Sequence, residues 1–279
     1  MTALLIAALR ASESTRPDSL FGSDPLAEAV DDEIDTETAQ LWVRDGTPTP
    51  IAAALRDYVA MRTRWFDGYL ARAAAEGIGQ VVLLGAGLDG RPYRLTLPGV
   101  TVFAVDTAGV TDYRRSVVER HGLPERSPVR SVVSDLAGEG WEEVLLAAGF
   151  DRAAPTAWLA EGLLFYLPAA DCSVLIRAVT DLSAPGSRIA LEYPHGDMAA
   201  VLEELDSGGI ARQLIGELLE SGPPSAPAAW LTDNEWSVEM TDDVAGWARA
   251  LDRTPPAWST ARGFTWWFAA ARLEHYPDR

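Results

Sequence analysis

The stretch Gln80-Val-Val-Leu-Leu-Gly-Ala-Gly-Leu-Asp-Gly90 is followed by a second apolar run, Val102-Phe-Ala-Val-Asp106. The first run breaks into glycines, and the second ends in an acid. This order is typical of a strand, a tight turn, a helix and a second strand in a doubly wound α/β domain. In such a domain the glycines let a nucleoside approach the backbone, and the acid accepts hydrogen bonds from ribose hydroxyls. The stretch therefore predicts an adenine nucleoside site, with a dinucleotide and S-adenosylmethionine as the two open cofactors.

Strand-like and helical runs alternate downstream of Gln80, which predicts a mostly parallel sheet with crossover helices. Helices are predicted over 109–121, 141–148 and 169–183, after a clear amphipathic helix over 51–76. The tail predicts a helix near 242–251. The predicted strands are 80–84, 101–105, 129–133, 156–160, 187–193, 236–240 and 263–270.

One domain over 1–279 is expected, divided into four parts. Its parts are an N-terminal helical cap (1–60), a cofactor-binding core (80–195), a helical lid insertion (196–235) and C-terminal strands that complete the sheet (236–279). The lid would cover the cofactor and shape the acceptor pocket.

Composition excludes several classes of protein. The 279 residues carry a net charge of −18, which disfavours binding to nucleic acid and to anionic membrane surfaces. Cys172 is the only cysteine, so there is no intramolecular disulfide and no cysteine-based zinc cluster. The apolar run at residues 1–10 lacks the basic flank of a signal peptide and is too short to span a bilayer. We predict no metal and a cytoplasmic location.

Two acids bear on the choice of cofactor. Asp89 lies inside the glycine turn, where a carboxylate would repel a pyrophosphate but tolerate the ammonium and sulfonium of S-adenosylmethionine; it could instead cap a helix. Asp135 ends the third predicted strand, beside the second. It could accept a hydrogen bond from the adenine amino group while Leu136 packs on the ring, or it could cap a helix.

Two further charges stand in apolar surroundings. Glu161 interrupts an apolar run at the end of the fourth predicted strand, so it should meet a cation: the cofactor ammonium, or a structural ion pair. Arg62 falls on the apolar stripe of the 51–76 helix, whereas Arg64 lies off it. Arg62 either clamps the cofactor carboxylate through two hydrogen bonds or extends along the surface to water.

Five stretches together resemble the leucine carboxyl methyltransferase-like family of S-adenosylmethionine-dependent methyltransferases, in particular its actinobacterial branch. They are Arg16–Ala27, Met61–Asp67, Gln80–Leu95, Ala148–Asp151 and Glu161–Pro168. The resemblance implies a class I methyltransferase fold: a doubly wound, mostly parallel seven-stranded sheet with N-terminal helices and a helical insertion as a lid. The chain departs from the family at 90–92, Gly-Arg-Pro where Thr-Arg-Ala is common. No family pattern is evident over 196–262.

The resemblance also implies a role for each site residue. It places the cofactor carboxylate on Arg62, the methionine moiety on the Gly85–Gly87 turn and Glu161, the ribose on Asp106, and the adenine on Asp135 and Leu136. The whole predicted cofactor site is Arg62, Gly85, Ala86, Gly87, Asp106, Thr107, Asp135, Leu136, Glu161 and Gly162.

The predicted activity is O-methylation, in which the acceptor oxygen displaces the sulfonium in line. A carboxylate of a small molecule or peptide needs no base, and it is the favoured acceptor; a hydroxyl acceptor would need one. His195 is then the candidate base, with a plain loop histidine as the alternative. Tyr166 could orient the acceptor or simply pack in the core. The six tryptophans after residue 229 are candidates for an apolar acceptor pocket or ordinary core.

Two other functions share the same sequence features. An NAD-dependent oxidoreductase would use the same glycine turn, although Asp89 argues against it. A non-catalytic relative could keep the fold, although the intact set of Arg62, Asp106, Asp135 and Glu161 argues against decay of the site.

Overall fold

The computed structural model describes residues 2–33, 43–44, 47–48, 50–196, 222–260 and 263–275. Most of the predicted lid insertion at 196–235 lies outside these ranges, so its role as a lid stays a prediction. The described residues nevertheless contain the whole predicted cofactor site and both predicted catalytic residues, Tyr166 and His195.

Seven strands form a single mixed sheet in the order β3-β2-β1-β4-β5-β7-β6. The first five strands are parallel, and β7 lies antiparallel between β5 and β6. A separate pair of two-residue strands, Val43–Arg44 and Thr47–Pro48, lies outside the sheet. The strands are β1 Gln80–Leu84, β2 Thr101–Asp106, β3 Val129–Val133, β4 Thr156–Ala160, β5 Arg188–Gly196, β6 Ser237–Asp243 and β7 Phe264–Arg272. The predicted doubly wound, seven-stranded sheet is confirmed.

Helices cover both faces of the sheet and precede it in the chain. The predicted helices over 51–76, 109–121, 141–148, 169–183 and near 242–251 are all present with small changes of boundary. The helices are α1 Thr2–Ser14, α2 Pro25–Asp31, α3 Pro50–Ala75, α4 Arg91–Arg94, α5 Ala108–His121, α6 Trp141–Ala147, α7 Ala169–Asp181, α8 Pro227–Asp233 and α9 Val244–Ala250, with 3₁₀ turns at Leu164–Tyr166 and Ala257–Thr260.

The central strands are apolar on both sides because both faces of the sheet are covered. In β1, Val81 and Leu83 pack with Phe66 of α3 and the rest of one core, while Val82 and Leu84 pack into the core on the other side. All of these side chains are at most 2% exposed. Each contributes about 1.5–3 kcal/mol of burial free energy relative to an exposed side chain.

The fifth strand is longer than predicted. Its predicted end is residue 193, but Pro194, His195 and Gly196 continue to pair with Trp266, Thr265 and Phe264 of β7. Pairing with the antiparallel strand β7 extends β5, and no local feature of residues 194–196 predicts this extension. The expectation that His195 follows the strand is therefore wrong, because His195 lies within it.

The end of the predicted lid is part of the core. In α8, Trp230 and Leu231 are buried in the same core as Val82 and Leu84. The Trp230 ring lies 6.0 Å from that of Tyr193. This helix therefore packs against the sheet.

The register of the parallel strands aligns the predicted site residues. Asp106 pairs with Val133, Leu84 with Val105, Leu83 with Leu159, and Ala160 with Leu191. It follows that the next residue along each central strand lies in one row across the carboxyl edge of the sheet, and the row reads Asp106, Gly85, Glu161 and Glu192. At about 4.8 Å per strand, the row spans about 14 Å.

The N-terminal helices are attached to this edge through Asp24. Its Oδ1 accepts a hydrogen bond from Ala27 N at 3.0 Å and caps α2, and its Oδ2 accepts one from Arg10 Nε at 2.9 Å. The side chain is fully buried and lies over Gly90, where an added Cβ would come within 2.0 Å of Asp24 Oδ1. Glycine at position 90 has no side chain to collide with this buried carboxylate.

We expect Gly90→Ala to destabilise the protein by about 1–3 kcal/mol, because the methyl group would displace the buried Asp24 carboxylate. Gly109→Ala is the matched control. That glycine lies in the first turn of α5 with nothing within 4 Å of an added Cβ, so the change should stabilise by up to about 1 kcal/mol. Denaturant unfolding measures both values. A Gly90→Ala protein as stable as wild type would contradict the close approach of Asp24.

Candidate active site

The glycine turn after β1 has the conformation that the sequence predicts. Gly85 and Gly87 have φ angles of 64° and 53°, in the left-handed region that favours glycine. Ala86 N donates to Val105 O at 2.9 Å, and Gly87 N donates to the Asp106 carboxylate at 2.6 Å. These bonds tie the turn to the end of β2.

Asp106 lies at the end of β2 in a fixed orientation. Its two oxygens accept hydrogen bonds from Gly87 N and from Thr107 N, the latter at 2.7 Å. The side chain is half-buried, and Thr107 is exposed at the N-cap position of α5. Because Oδ1 also accepts from the Thr107 hydroxyl at 3.3 Å, the further acceptor site for a ribose hydroxyl is on Oδ2.

Asp135 and Leu136 lie just beyond the end of β3. Asp135 is exposed and accepts a hydrogen bond from Ala137 N at 3.0 Å, within a turn that ends before α6. Since the N-cap of α6 is Gly140, the alternative that Asp135 caps this helix is wrong. Leu136 is half-buried against the core that contains Val132. Their predicted contact with adenine stays a prediction.

Arg62 connects Glu161, which follows β4, with Glu192 in the middle of β5. Its Nε lies 2.8 Å from Glu161 Oε1, and its Nη1 lies 3.0 Å from Glu192 Oε1. Arg62 is 5% exposed and Glu192 is 0% exposed, so both charges are buried. The structural ion pair considered for Glu161 is thus present, and Arg62 does not extend to water. Arg64, two residues on, is exposed.

Sequence reasoning missed Glu192. The signal was available, because Glu192 is a lone acid in the apolar run Ile189-Ala-Leu-Glu-Tyr193, as Glu161 is in its own run. Burial raises the pKa of the Glu192 carboxyl, and Arg62 opposes that shift. Burial also works against the charge on Arg62, but Glu192 and Glu161 outweigh it and raise the pKa of the guanidinium. Arg62 therefore stays charged, and it favours the charged form of Glu192 against the effect of burial.

A second buried arginine also reaches Glu161. Arg91 Nη1 lies 2.7 Å from Glu161 Oε2 and 2.6 Å from Asp89 Oδ2, and Arg91 Nε lies 2.8 Å from Asp67 Oδ1. Arg94 holds the other side of Asp67, with Nη1 at 2.6 Å from Oδ2. Through these contacts α3 and α4 are connected to the carboxyl edge of the sheet.

The argument from Asp89 against a dinucleotide is weakened by this geometry. Asp89 accepts a hydrogen bond from Arg91 N at 2.8 Å and pairs with the Arg91 guanidinium. Burial raises the pKa of Asp89, but Arg91, Arg10 and Arg94 together outweigh burial and lower it. A carboxylate neutralised by its own ion pair repels an incoming phosphate much less than a free one, so the choice of cofactor rests on other residues.

Three buried polar atoms in this cluster lack a hydrogen bond among the described residues: Arg62 Nε, Arg94 Nε and Glu161 Oε2. All three are at ion-pair distance from an opposite charge, but without hydrogen-bond geometry. Buried polar atoms are rarely left without a partner, so Arg62 Nε and Glu161 Oε2, at the carboxyl edge of the sheet, are candidates for contact with a ligand.

The two predicted catalytic residues lie apart. Tyr166 ends a 3₁₀ turn, is 40% exposed and has its ring 4.6 Å from that of Phe165, so it is not a core residue. His195 is exposed on β5, where alternation places it with Tyr193, on the opposite face from Glu192. The structure therefore does not bring His195 to the Arg62 cluster, and a catalytic role for either residue stays a prediction.

The tryptophans after residue 229 divide between the core and the site. Trp230 and Trp236 are buried in the core on the other face of the sheet, which confirms the core alternative for them. Trp266 donates from Nε1 to Glu192 Oε2 at 3.0 Å, and its ring lies 5.4 Å from that of Trp258. Trp247 donates to Met61 O at 3.1 Å on α3.

The strand order and the site at the carboxyl edge define a class I methyltransferase fold. A family model for leucine carboxyl methyltransferase matches residues 3–180. The chain belongs to the leucine carboxyl methyltransferase family. The family and the fold class predicted from the sequence are confirmed, and so is the class of enzyme, a methyltransferase. Among the described residues, no helix has the length and apolar character needed to span a bilayer.

Similar proteins extend this assignment beyond the matched segment. A "Putative S-adenosyl-L-methionine-dependent methyltransferase" of Mycobacteroides abscessus is 40% identical, covering 86% of this chain and 85% of the relative. A similarly named protein of Parafrankia sp. is 38% identical over 94% of this chain and 84% of its own length. A solved structure of a "putative methyltransferase" from Thermobifida fusca has a TM-score of 0.56 and 17% identity, covering 96% and 94% of the two chains.

We expect Asp67→Asn to destabilise the protein by about 3–5 kcal/mol, because it removes one partner of a buried ion-pair cluster and leaves Arg91 and Arg94 undercompensated. The pKa of Asp67 is lowered, since these arginines outweigh its burial. The matched control is Asp112→Asn in the exposed Asp112–Arg115 pair, which should change stability little. Chemical denaturation of both variants checks this, and equal stabilities would mean that the cluster is not a stabilising unit.

Proposed function

We propose that this S-adenosylmethionine-dependent methyltransferase is an O-methyltransferase that acts on a carboxylate of a small molecule or peptide. One observation carries the cofactor site: the buried Arg62 and the half-buried Glu161, two opposite charges, meet beside the Gly85 turn, and Glu161 lies in the same row as Asp106. Each charge has a buried atom without a hydrogen bond.

The pair fits the two charged groups of an amino acid. A guanidinium suits a carboxylate, and a carboxylate suits an ammonium, so Arg62 and Glu161 would bind the two ends of the methionine moiety. Gly85 keeps the adjacent backbone open, because a side chain there would meet Leu163 at 3.1 Å. When bound, S-adenosylmethionine supplies a methyl group on a sulfonium.

The remaining site residues follow the row towards β3. Asp106, held by Gly87 N and Thr107 N, would accept the ribose hydroxyls. Asp135 and Leu136, beyond the adjacent strand, would hold the adenine amino group and the ring face. The length of the row, about 14 Å, suits an extended nucleoside that carries an amino acid side arm.

An NAD-dependent oxidoreductase is the competing function, and Asp89 no longer argues strongly against it. The contrast now rests on Arg62 and Glu161. A dinucleotide carries two phosphates and no ammonium, so it would place negative charge beside Glu161 and leave that carboxylate without a new partner. The family membership supports the same choice.

The acceptor proposal rests on chemistry and family. A carboxylate is ionised at neutral pH and needs no group to remove a proton. The candidate base for a hydroxyl, His195, lies on the strand face opposite to Glu192. Alignment of the acceptor oxygen and exclusion of water are then the tasks left to the protein, and Tyr166 would contribute to the first.

We expect S-adenosylhomocysteine to bind in calorimetry and NADH not to bind. Arg62→Lys should weaken binding of S-adenosylhomocysteine by about 10- to 150-fold, equivalent to a lost hydrogen bond to a charged group at about 1.5–3 kcal/mol. Lysine keeps the buried charge beside Glu161 and Glu192, so the fold should survive where Arg62→Ala would leave two carboxylates facing each other.

Arg64→Lys is the matched control for this experiment. It makes the same chemical change two residues away on an exposed position of the same helix, and its affinity should equal that of wild type. Equal affinities for both lysine variants would mean that Arg62 has only a structural role and does not bind the cofactor. Binding of NADH without binding of S-adenosylhomocysteine would overturn the cofactor assignment.

We expect His195→Ala to keep turnover within about tenfold of wild type, below the roughly 10²–10⁴-fold that a general base supplies. The rate should stay flat from about pH 6 to 8, because an ordinary carboxyl group ionises near pH 4. A methyl ester product would release methanol in mild alkali, and a methyl ether would not. A thousandfold loss with normal cofactor affinity, together with an alkali-stable product, would instead identify a hydroxyl acceptor.

A further inference from the structure

Glu192 occupies a position where a charged side chain is energetically unfavourable. It is 0% exposed on β5, and the register of β4 and β5 places it directly beside Glu161. Two adjacent carboxylates repel each other, and burial of either charge is unfavourable without partners. The surrounding donors must therefore compensate Glu192, and their identity shows what the residue connects.

Four donors reach Glu192, two on each oxygen. Oε1 accepts from Arg62 Nη1 and from Gly162 N, both at 3.0 Å. Oε2 accepts from the Tyr58 hydroxyl and from Trp266 Nε1, the latter at 3.0 Å. Because every bond is donated to the carboxylate, the group is fully used as an acceptor and is not free to remove a proton from a substrate.

The two oxygens face different parts of the site. The Oε1 side holds the proposed cofactor residues, since Gly162 follows Glu161 and has a φ of 65° that favours glycine. The Oε2 side holds an aromatic cluster. The Tyr58 ring lies 5.1 Å from Trp266 and 5.2 Å from Trp258.

We propose that Glu192 is a positioning residue for methyl transfer. It orients Arg62 and the Gly162 turn with one carboxylate oxygen, and Tyr58 and Trp266 with the other. One buried carboxylate thereby fixes the orientation of the proposed cofactor-binding residues, Arg62 and Gly162, and of the neighbouring aromatic side chains, Tyr58 and Trp266. This inference rests on the proposed cofactor site.

Only a carboxylate suits this position. Glutamine has nearly the same shape but offers one acceptor oxygen and an NH₂ group with two donors. If its NH₂ faces Arg62 and Gly162, it meets two groups that can only donate; if it faces the other side, the Tyr58 hydroxyl can turn to accept, but Trp266 Nε1 can only donate. Glu192→Gln should therefore disturb one side of the site without removing bulk.

The test measures S-adenosylhomocysteine affinity and the indole N–H signal of Trp266 by ¹⁵N NMR, assigned with Trp266→Phe. In Glu192→Gln we expect a dissociation constant at least about tenfold higher, equal to about 1.4 kcal/mol, and a shifted Trp266 signal. Glu239→Gln is the control. Glu239 is exposed on β6 and pairs with Arg188 at 3.1 Å, so both readouts should match wild type.

A folded Glu192→Gln protein with wild-type affinity and an unmoved Trp266 signal would overturn the inference. If that variant does not fold, Tyr58→Phe replaces it, because the change keeps the ring 5.6 Å from the Arg62 guanidinium and removes one donor to Glu192. It should weaken S-adenosylhomocysteine binding about threefold or more and move the Trp266 signal. Wild-type values for both readouts would again overturn the inference.

The outcomes separate this inference from the proposed function. Wild-type protein that fails to bind S-adenosylhomocysteine overturns both. Wild-type protein that binds, with Arg62→Lys weakened and Glu192→Gln unaffected, overturns only the role of Glu192. Weakened binding in both variants supports the inference.

Discussion

The site depends on one guanidinium between two carboxylates. The parallel register places Glu161 and Glu192 side by side, with Glu161 just after β4 and Glu192 within β5. The Glu192 side chain is fully buried, and that of Glu161 is 13% exposed. Arg91 also reaches Glu161, but without Arg62 the buried Glu192 would lose its cation, at a cost of about 3–5 kcal/mol. Arg62 enters from α3, so this long helix has to lie across this edge of the sheet. Its apolar stripe against the sheet and its two buried charges, Arg62 and Asp67, favour the same placement.

Buried charge spreads outward from this point. Glu161 also meets Arg91, which meets Asp67, and Arg94 continues the alternation. Each group is compensated by neighbours of opposite sign, so burial does not neutralise them. Such clusters contribute less to net stability than an apolar core of the same volume. They nevertheless resist rearrangement, because moving any member leaves its partners as buried charges without a counter-charge. A methyl-transfer site benefits from that rigidity, since the cofactor and acceptor must stay aligned.

The sequence was most informative where local and global patterns agree. Apolar alternation, the glycine turn and Asp106 defined the order of strands and the edge at which the site lies. The lone acid Glu161 and the arginine on the apolar stripe of α3 were identified for the same reason, since a charge in an apolar run needs a partner. Glu192 carried that signal as well and was overlooked. In contrast, the argument from Asp89 failed because its partner, Arg91, was not recognised from spacing.

By itself, the sequence determined the kind of fold and the family, and it predicted a site at the carboxyl edge of the sheet, because these follow from periodicity and from short motifs that act within a few residues. Tertiary structure alone decided which distant strands and side chains pair with one another. The length of β5 depends on hydrogen bonds to β7, which lies far along the chain. The partners of Glu192 come from α3, from the turn after β4 and from β7. Contacts of this kind arise only when distant segments are brought together, so no local pattern in the chain encodes them.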